Sequence, residues 1–381
     1  MSRTAPRRPD QTPGSSREAG RSGLARRLAT TALHGVALFA TLVGGAWVIW
    51  TFQPFGHRDR VVTAACSLLA GLAWGLRLRG GPPARRRVPR WLPWVVIGEL
   101  IVWAGLIAWS IVSPGGPIPS PKADPGDVRV LTWNILHGKD AGPPWVRRGW
   151  PARKHPLGTA LRAAGPDILG VQEALIGQLE FIDAVLPRHR RVGVGRDDGR
   201  SGGEHCAIYY DADRFDLLDG GTFWLDEPAD APPRDLDPLP KRTCSWARLR
   251  DRRGGRALRV YNTHWYLTEG PRLRAARIMM ERVSSGDASD AVLVVGDFNA
   301  TPLAPSRAPF RAAGLVSAAE LAGEPVGLPT HHFYGIRLRG LDDVYLGRSW
   351  RRVAYRIVDA KPGNIFPSDH FGILVDLTAG P

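Results

Sequence analysis

Three apolar stretches crowd the first third of the chain, and they restrict its folding more than any other feature. Leu28–Trp50 contains no Asp, Glu, Lys or Arg. Val61–Leu76 is shorter and is followed by Arg77 and Arg79. Trp91–Val112 is interrupted only by Glu99. A helix needs about 20 apolar residues to cross a bilayer core, which the first and third stretches supply. The second is short, but arginine stems at its end can snorkel. Trp47, Trp50, Trp91, Trp94 and Trp109 lie near the ends of these stretches, where membrane proteins place an aromatic belt. Buried core helices are the alternative, but soluble cores rarely hold uninterrupted runs of this length. A cleaved signal peptide fits less well, because the first stretch is too long and two more follow.

Flanking charge sets the expected orientation. Residues 1–27 hold seven arginines without apolar periodicity, as in a disordered tail, and "RLRGGPPARRRVPR" holds six. Both are expected inside. "TFQPFGHRDR" carries two arginines and is expected outside, so three spans leave everything after Val112 outside the cytoplasm, at the cell membrane. Glu99 is an ionisable group within a span. That is either a functional hint or a protonated or helix-paired carboxyl. Residues 113–126, "SPGGPIPSPKADPG", have five prolines in fourteen positions and read as a stiff linker setting the next domain off the membrane.

This partition changes the meaning of the +15 net charge. Residues 1–126 hold 16 basic and 5 acidic residues; the remainder holds 35 and 31. The basic excess lies mostly outside the globular part, which weakens nucleic-acid binding as an inference from charge.

From Asp127 onward, short β-rich runs alternate with loops and a few helical patterns, at Pro156–Ala164, Leu175–Leu186 and Pro271–Val283. The class expected is α/β, with two sheets in a sandwich rather than a Rossmann sheet. There is no GxGxxG motif and no P-loop. The apolar runs start or stop at polar residues: Asn134 after "LTW", Gln172 and Glu173 in "ILGVQE", Asn262 and His264 in "YNTHWYL", Asp297 and Asn299 in "VVGDFN", Asp342 and Asp343 in "GLDDVYL", and Asp369 and His370 before "FGILVDL". A single strand-end Asp or Asn is usually a turn former. Gathered on one rim, these residues form a cleft of carboxylates, amides and imidazoles, suited to a hard divalent cation and to acid/base chemistry. No HExxH motif or Cys/His cluster suggests zinc.

The ordered series "TWN", "VQE", "NTH", "GDFN", "LD", "SDH" resembles the endonuclease/exonuclease/phosphatase superfamily, the DNase I-like fold, over residues 127–379. The resemblance implies a four-layered α/β sandwich, here preceded by three transmembrane helices. It also implies hydrolysis of phosphoester bonds with Mg²⁺, or with Mn²⁺ or Ca²⁺. It makes Glu173 the main metal ligand, with Asn134 and Asp369 assisting directly or through water. Asp297 and Asn299 match the pair that positions the attacking water and a phosphate oxygen. His264 matches an imidazole that stabilises developing charge, His370 a second imidazole, and Asp342 the carboxylate orienting it. Asp343 stands where the family usually has an aromatic, which leaves the register of Asp342 open by one residue.

The expected function is therefore a membrane-anchored, metal-dependent phosphoesterase. Its substrate would be a lipid head group, a small phosphoester or nucleic acid, and its other partner the lipid bilayer. A surface nuclease and a catalytically inert membrane-bound binding module are the alternatives. The paired acids and imidazoles disfavour the inert module, and the charge balance disfavours DNA. Arg272, Arg274 and Arg277 either approach a phosphate or form a solvated helix face. His331 and His332 either face substrate or are ordinary loop histidines. Cys66 reads as an apolar filler, while Cys206 and Cys244 have the option of a disulfide in an oxidising compartment.

Overall fold

The computed structural model describes residues 113–379, except 118, 120, 123, 139–148, 234–238 and 334, together with helical positions 97, 101, 104, 105, 108, 109 and 112. The basic tail, the first two apolar stretches, Cys66 and Glu99 lie outside the described residues. The seven helical positions of the third stretch are all exposed. Among the described residues, no helix is long and apolar enough to cross a membrane.

Two six-stranded mixed sheets lie face to face. The first contains β1 (Val128–Asn134), β2 (Ile168–Ala174), β3 (His189–Val192), β4 (His205–Asp211), β13 (Trp350–Val358) and β14 (Gly372–Ala379), in the order β13-β14-β1-β2-β4-β3. The second contains β5 (Phe215–Trp224), β6 (Thr243–Asp251), β7 (Ala257–His264), β8 (Ala291–Asp297), β9 (Val316–Ser317) and β12 (Asp342–Leu346), in the order β5-β6-β7-β8-β12-β9. A hairpin of β10 (His331–Phe333) and β11 (Ile336–Arg339) stands apart. The sequence pattern anticipated the central strands but not β3, β5 or β13, which are partly exposed or charged and lack a continuous apolar run.

Strand parity sorts the core into layers. Val128, Val130, Val260, Leu293, Val295, Val344 and Val375 fill the space between the sheets. Their odd-step neighbours turn outward. Leu131, Trp133 and Leu169 pack with Leu157, Leu161, Leu179 and Ile182 of α1 (Trp150–Ala164) and α2 (Ile176–Val185). Tyr261, Val294 and Tyr345 pack with Ala275, Met279 and Val283 of α3 (Glu269–Ser284). Burial on both faces explains the nearly continuous apolar runs. Positions 275, 279 and 283 lie four apart and so share one helix face. Helix α1 has proline in its first turn and ends at Gly165 in the left-handed conformation, both favoured helix boundaries.

Described residues of the proline-rich segment contact the domain at several points. Lys361 Nζ donates to the Ser113 carbonyl at 3.1 Å, and Gly116 bridges Ala360. Further on, Lys122 Nζ reaches both oxygens of Asp167, at 2.9 and 2.7 Å. The buried Arg214 guanidinium donates to the carbonyls of Asp127 and Gly126 at 2.6 and 2.8 Å.

Candidate active site

Strand direction gathers the site. β1 runs parallel to β2, and β7 parallel to β8, so these four strands deliver their C-terminal ends to one rim. β4, β12 and β14 run antiparallel to β2, β8 and β1, and β6 antiparallel to β7, so they deliver their N-terminal ends there. Asn134, His264, Asp297 and Asp342 keep the inward parity of the core residues on their own strands. They therefore emerge between the sheets.

Glu173 breaks that parity. The β2–β4 register shifts between Val171 and Ala174, and Glu173 has φ +63°. A non-glycine residue there is strained, and bulges of this kind re-aim side chains beside functional sites. The bulge points Glu173 at Asn134, whose Nδ2 donates at 3.0 Å to both Glu173 Oε1 and Asp297 Oδ2. Asn134 thus ties a carboxylate of one sheet to a carboxylate of the other. The His137 amide donates to Glu173 Oε2 at 3.1 Å.

The glycine before Asp297 has a steric cause. A Cβ on Gly296 (φ +147°) would lie 2.1 Å from the Thr263 carbonyl oxygen. Glycine lets β7 and β8 close up and brings His264 Nε2 to 3.6 Å from Asp297 Oδ2. Asn299 (φ +49°) holds the next turn. Its amide donates to Asp297 Oδ1 at 2.8 Å, and its Nδ2 to the Trp265 carbonyl at 2.9 Å.

Asp342 lies directly opposite Asp297 in the β8–β12 ladder. Its Oδ2 is 2.8 Å from His370 Nδ1, and His370 Nε2 is 3.8 Å from Asp297 Oδ2. Asp343 points to the other face. Its Oδ1 accepts from Ser317 Oγ at 2.8 Å, and Arg307 lies 3.5 Å from its Oδ2. The open register therefore resolves to Asp342 in the cleft, with Asp343 in the outer layer. Asp369 is half-buried, and its carbonyl accepts from the His332 amide at 2.8 Å.

The electrostatics divide the two imidazoles. Burial lowers the pKa of His264 well below the ordinary histidine value, and Arg242, Arg196 and His370 lower it further. Burial opposes charge on His370 too, but Asp342 and Asp297 more than offset it and hold its pKa well above the ordinary value. One imidazole is thus kept neutral and the other cationic, which separates acceptor from donor. Burial raises the Glu173 pKa, and the carboxylates of Glu204 and Asp369 raise it further. Asp297 is raised by burial and by Asp342, against the pull of His370 and Asn134.

Glu204 and Arg242 are members of the cleft that the sequence reading missed. Glu204 Oε2 is 2.6 Å from Arg196 Nη1, 3.8 Å from Arg242 Nη1 and 3.9 Å from His264 Nδ1. Glu204 directly precedes β4 and Arg242 directly precedes β6, each in a stretch rich in glycine or charge and not as a lone polar break in an apolar run. Gln172 and Asn262 instead join the sheets: Gln172 Nε2 donates to Asn262 Oδ1 at 2.6 Å, and Asn262 Nδ2 to the Ala207 carbonyl at 2.8 Å. Arg272 donates to the Asn299 carbonyl behind the cleft, while Arg274 and Arg277 are exposed on α3. The His331 ring lies 5.0 Å from that of His370, whereas His332 is buried and stacked on Phe371.

The residues fit a divalent cation and an anionic ligand. Single oxygen or nitrogen atoms of Asp297, Asp342 and His370 lie within 4.8 Å of one another. Glu173 and Asp369 add carboxylates nearby. Buried Asp342 Oδ1, His264 Nδ1 and Arg242 Nε and Nη1 lack a hydrogen-bond partner within the protein. Buried polar atoms usually have partners, so this concentration marks a ligand site.

Comparison with known proteins agrees with this geometry. A model of the endonuclease/exonuclease/phosphatase family matches residues 131–370. The chain belongs to that family. Its members are phosphoesterases and nucleases, typically dependent on divalent metal. Among solved structures, an endonuclease/exonuclease/phosphatase from Bacteroides vulgatus is 28% identical, with a TM-score of 0.61 over 67% of this chain and 99% of that one. The mannosyl-6-phosphatase Bt3783 of Bacteroides thetaiotaomicron is 26% identical, with a TM-score of 0.59 over 66% and 99%. The catalytic domain of human Nocturnin, solved with a bound sulfate anion, is 20% identical, with a TM-score of 0.52 over 67% and 95%; it shares the fold. An uncharacterised protein, R895, of Acanthamoeba polyphaga mimivirus is 31% identical over 134 residues, which are 31% of this chain. The chain spans 19% of the length of that curated relative.

Proposed function

We propose that the chain is a membrane-anchored, metal-dependent phosphoesterase acting outside the cytoplasm on phosphodiester or phosphomonoester bonds. The observation that carries the hydrolase reading is the Asp297–Asp342–His370 cluster, joined through Asn134 to Glu173. Glu173 and Asp369 would hold Mg²⁺ or a similar ion, with Asn134 beside them. The bound ion supplies positive charge to a phosphate oxygen.

The protein's own groups do the rest. Asp297, held by Asn134 and by the Asn299 amide, accepts a proton from an attacking water in line with the scissile bond. His370, kept protonated by Asp342, donates a hydrogen bond to the phosphate as its charge grows. His264 is neutral and lies 3.6 Å from Asp297, where it orients the same water or a phosphate oxygen. Arg242, beside Glu204 at 3.8 Å, has buried N–H groups without a hydrogen-bond partner in the protein and suits an anionic substrate. The name mannosyl-6-phosphatase, on a structure 26% identical, supports phosphomonoesters within the proposed range.

The test is hydrolysis of bis-p-nitrophenyl phosphate and p-nitrophenyl phosphate by the detergent-solubilised full chain, with Mg²⁺ and with EDTA. Metal-dependent turnover lost in Asp297→Ala supports the proposal. No turnover of either ester by a folded chain with Mg²⁺ overturns it. Alkaline phosphatase fused after Gly126 should be active, and fused after Arg87 inactive; the reverse overturns the localisation.

A further inference from the structure

We propose that the cleft rim is the face this domain turns towards a lipid bilayer, and that its substrate is a phosphoester carried by a lipid of that bilayer. This rests on the anchoring and the hydrolysis proposed above.

Ser113 follows Val112, the last residue of the third apolar stretch, and is held at the cleft end. Its carbonyl accepts from Lys361, which lies on the connection from β13 to β14. Its Oγ would lie 3.0 Å from a Cβ placed on Gly335, in the β10–β11 hairpin. From there a short series of contacts enters the site. The Gly335 amide donates to His332 Nδ1 at 3.0 Å, and the His332 amide donates to the Asp369 carbonyl at 2.8 Å. His331, one residue earlier, places its ring 5.0 Å from that of His370. Trp109 and Val112, in the turn before Ser113, are 46% and 70% exposed.

From Ser113 the described residues of the proline-rich segment run away from the cleft. Lys122 meets Asp167, which precedes β2 and so lies at the end opposite Glu173. Nine residue steps at up to about 3.5 Å each reach about 31 Å, enough to follow a seven-residue strand of about 23 Å. The segment is pinned near both ends and also at Gly116, whose Cβ, if present, would strike the Asp359 carboxylate. It is a strap along the sandwich, and its Ser113 end lies at the cleft.

Exposed leucines lie close to the cleft. At the cleft end, Leu267 follows His264 by three residues and is 45% exposed, and Leu303 follows Asn299 by four and is 90% exposed. Their loops are joined by the Ser306 amide donating to Glu269 Oε1 at 2.7 Å and by Arg272 on the Asn299 carbonyl. At the far end the exposed residues include Arg188, Asp213, Arg252 and Arg253. Exposed leucines beside the catalytic rim suit a domain seated cleft-down on an interface.

The test uses the full chain reconstituted in vesicles of phosphatidylcholine, phosphatidylglycerol and phosphatidylinositol. A fluorophore on Leu303→Cys, in a Cys66→Ala background, should be quenched by brominated lipids, and one on Asp213→Cys should not. Equal quenching at both positions, or none at Leu303, overturns the orientation. Phosphate-bearing head groups should be released from the same vesicles, with release lost in Asp297→Ala. A flexible insert of about ten residues between Val112 and Ser113 should cut lipid turnover roughly tenfold by lowering the local concentration of substrate, leaving turnover of bis-p-nitrophenyl phosphate unchanged. Turnover of the soluble ester without lipid turnover overturns this inference and leaves the proposed hydrolase standing. Turnover of neither overturns both.

Discussion

Asp297 and Asp342 are cross-strand partners in the β8–β12 ladder, and His370 spans the pair, 2.8 Å from Asp342 Oδ2 and 3.8 Å from Asp297 Oδ2. Like charges directly opposite each other weaken a sheet. The arrangement therefore serves the cleft at some cost to the fold. Asp297→Asn should lower kcat by roughly two to four powers of ten, as loss of an acid/base group does. In EDTA its melting temperature should equal or exceed that of the wild type, because one of two facing charges is gone. A wild-type rate, or a clear fall in melting temperature, would contradict this assignment.

Asp342 and Asp343 are adjacent but lie on opposite faces of β12. Asp342→Asn should depress kcat and also destabilise, because the buried His370 imidazole loses its charged partner. Asp343→Asn should leave kcat and KM at wild-type values and destabilise by about 1–3 kcal/mol, the usual cost of disturbing a buried charged hydrogen-bond partner. Urea titrations paired with steady-state kinetics separate the two. An activity loss confined to Asp343→Asn would reverse the register.

Gly296→Ala should fail on both counts. Its Cβ would fall 2.1 Å from the Thr263 carbonyl, so β7 and β8 must separate where they position His264 and Asp297. Overpacking of this kind costs about 1–3 kcal/mol, and displaced catalytic groups should lower kcat as well. Unchanged kinetics in the alanine variant would show that the close approach is dispensable.

The Asp376 carboxyl would be raised by burial alone, but Arg129 at 2.6 Å, together with Arg356, holds it below the usual carboxylate value. Its folded pKa is therefore depressed. The stability it contributes is present above the unfolded value of about 3.9 and is lost as pH falls through the folded value. Arg129→Met should destabilise by about 3–5 kcal/mol at neutral pH, because it leaves a buried charge less compensated. The acid limb of its stability profile should also flatten. An acid limb as steep as that of the wild type would rule out this pair as a source of acid sensitivity.

Cys206 and Cys244 are free buried thiols, so the optional disulfide is not formed in this structure. Burial pushes Cys206 up to about 12 and Cys244 well above the ordinary thiol value. Both should resist a thiol reagent at neutral pH until the protein is denatured, because the thiolate is the reactive form. Denatured samples should titrate the same number of thiols with and without reductant.

The central strands, the three helices and most of the cleft were legible in the sequence, for reasons visible in particular residues. "AVLVVGDFN" reads as a strand because both faces of β8 are buried, which requires apolar residues at every step. Its polar end reads as a site because Asp297 and Asn299 end an otherwise apolar run. Strands β3, β5 and β13 escaped because their partly exposed faces dilute that signal. Glu204 and Arg242 escaped because they sit among glycines and charged residues, in "GRSGGEH" and "PKRT", where no single polar group stands out against an apolar run.

The sequence by itself determined which residues must be buried and which polar groups interrupt them, because apolar burial and period-two alternation are local properties of the chain. Only the tertiary structure decided that Asp342 and not Asp343 faces His370, that a bulge turns Glu173 towards Asn134, and that Ser113, Gly116 and Lys122 contact the domain. Each of these depends on pairing register or on contacts between residues far apart in sequence. A shift of one residue exchanges the two faces of a strand, and that register is set by the neighbouring strand.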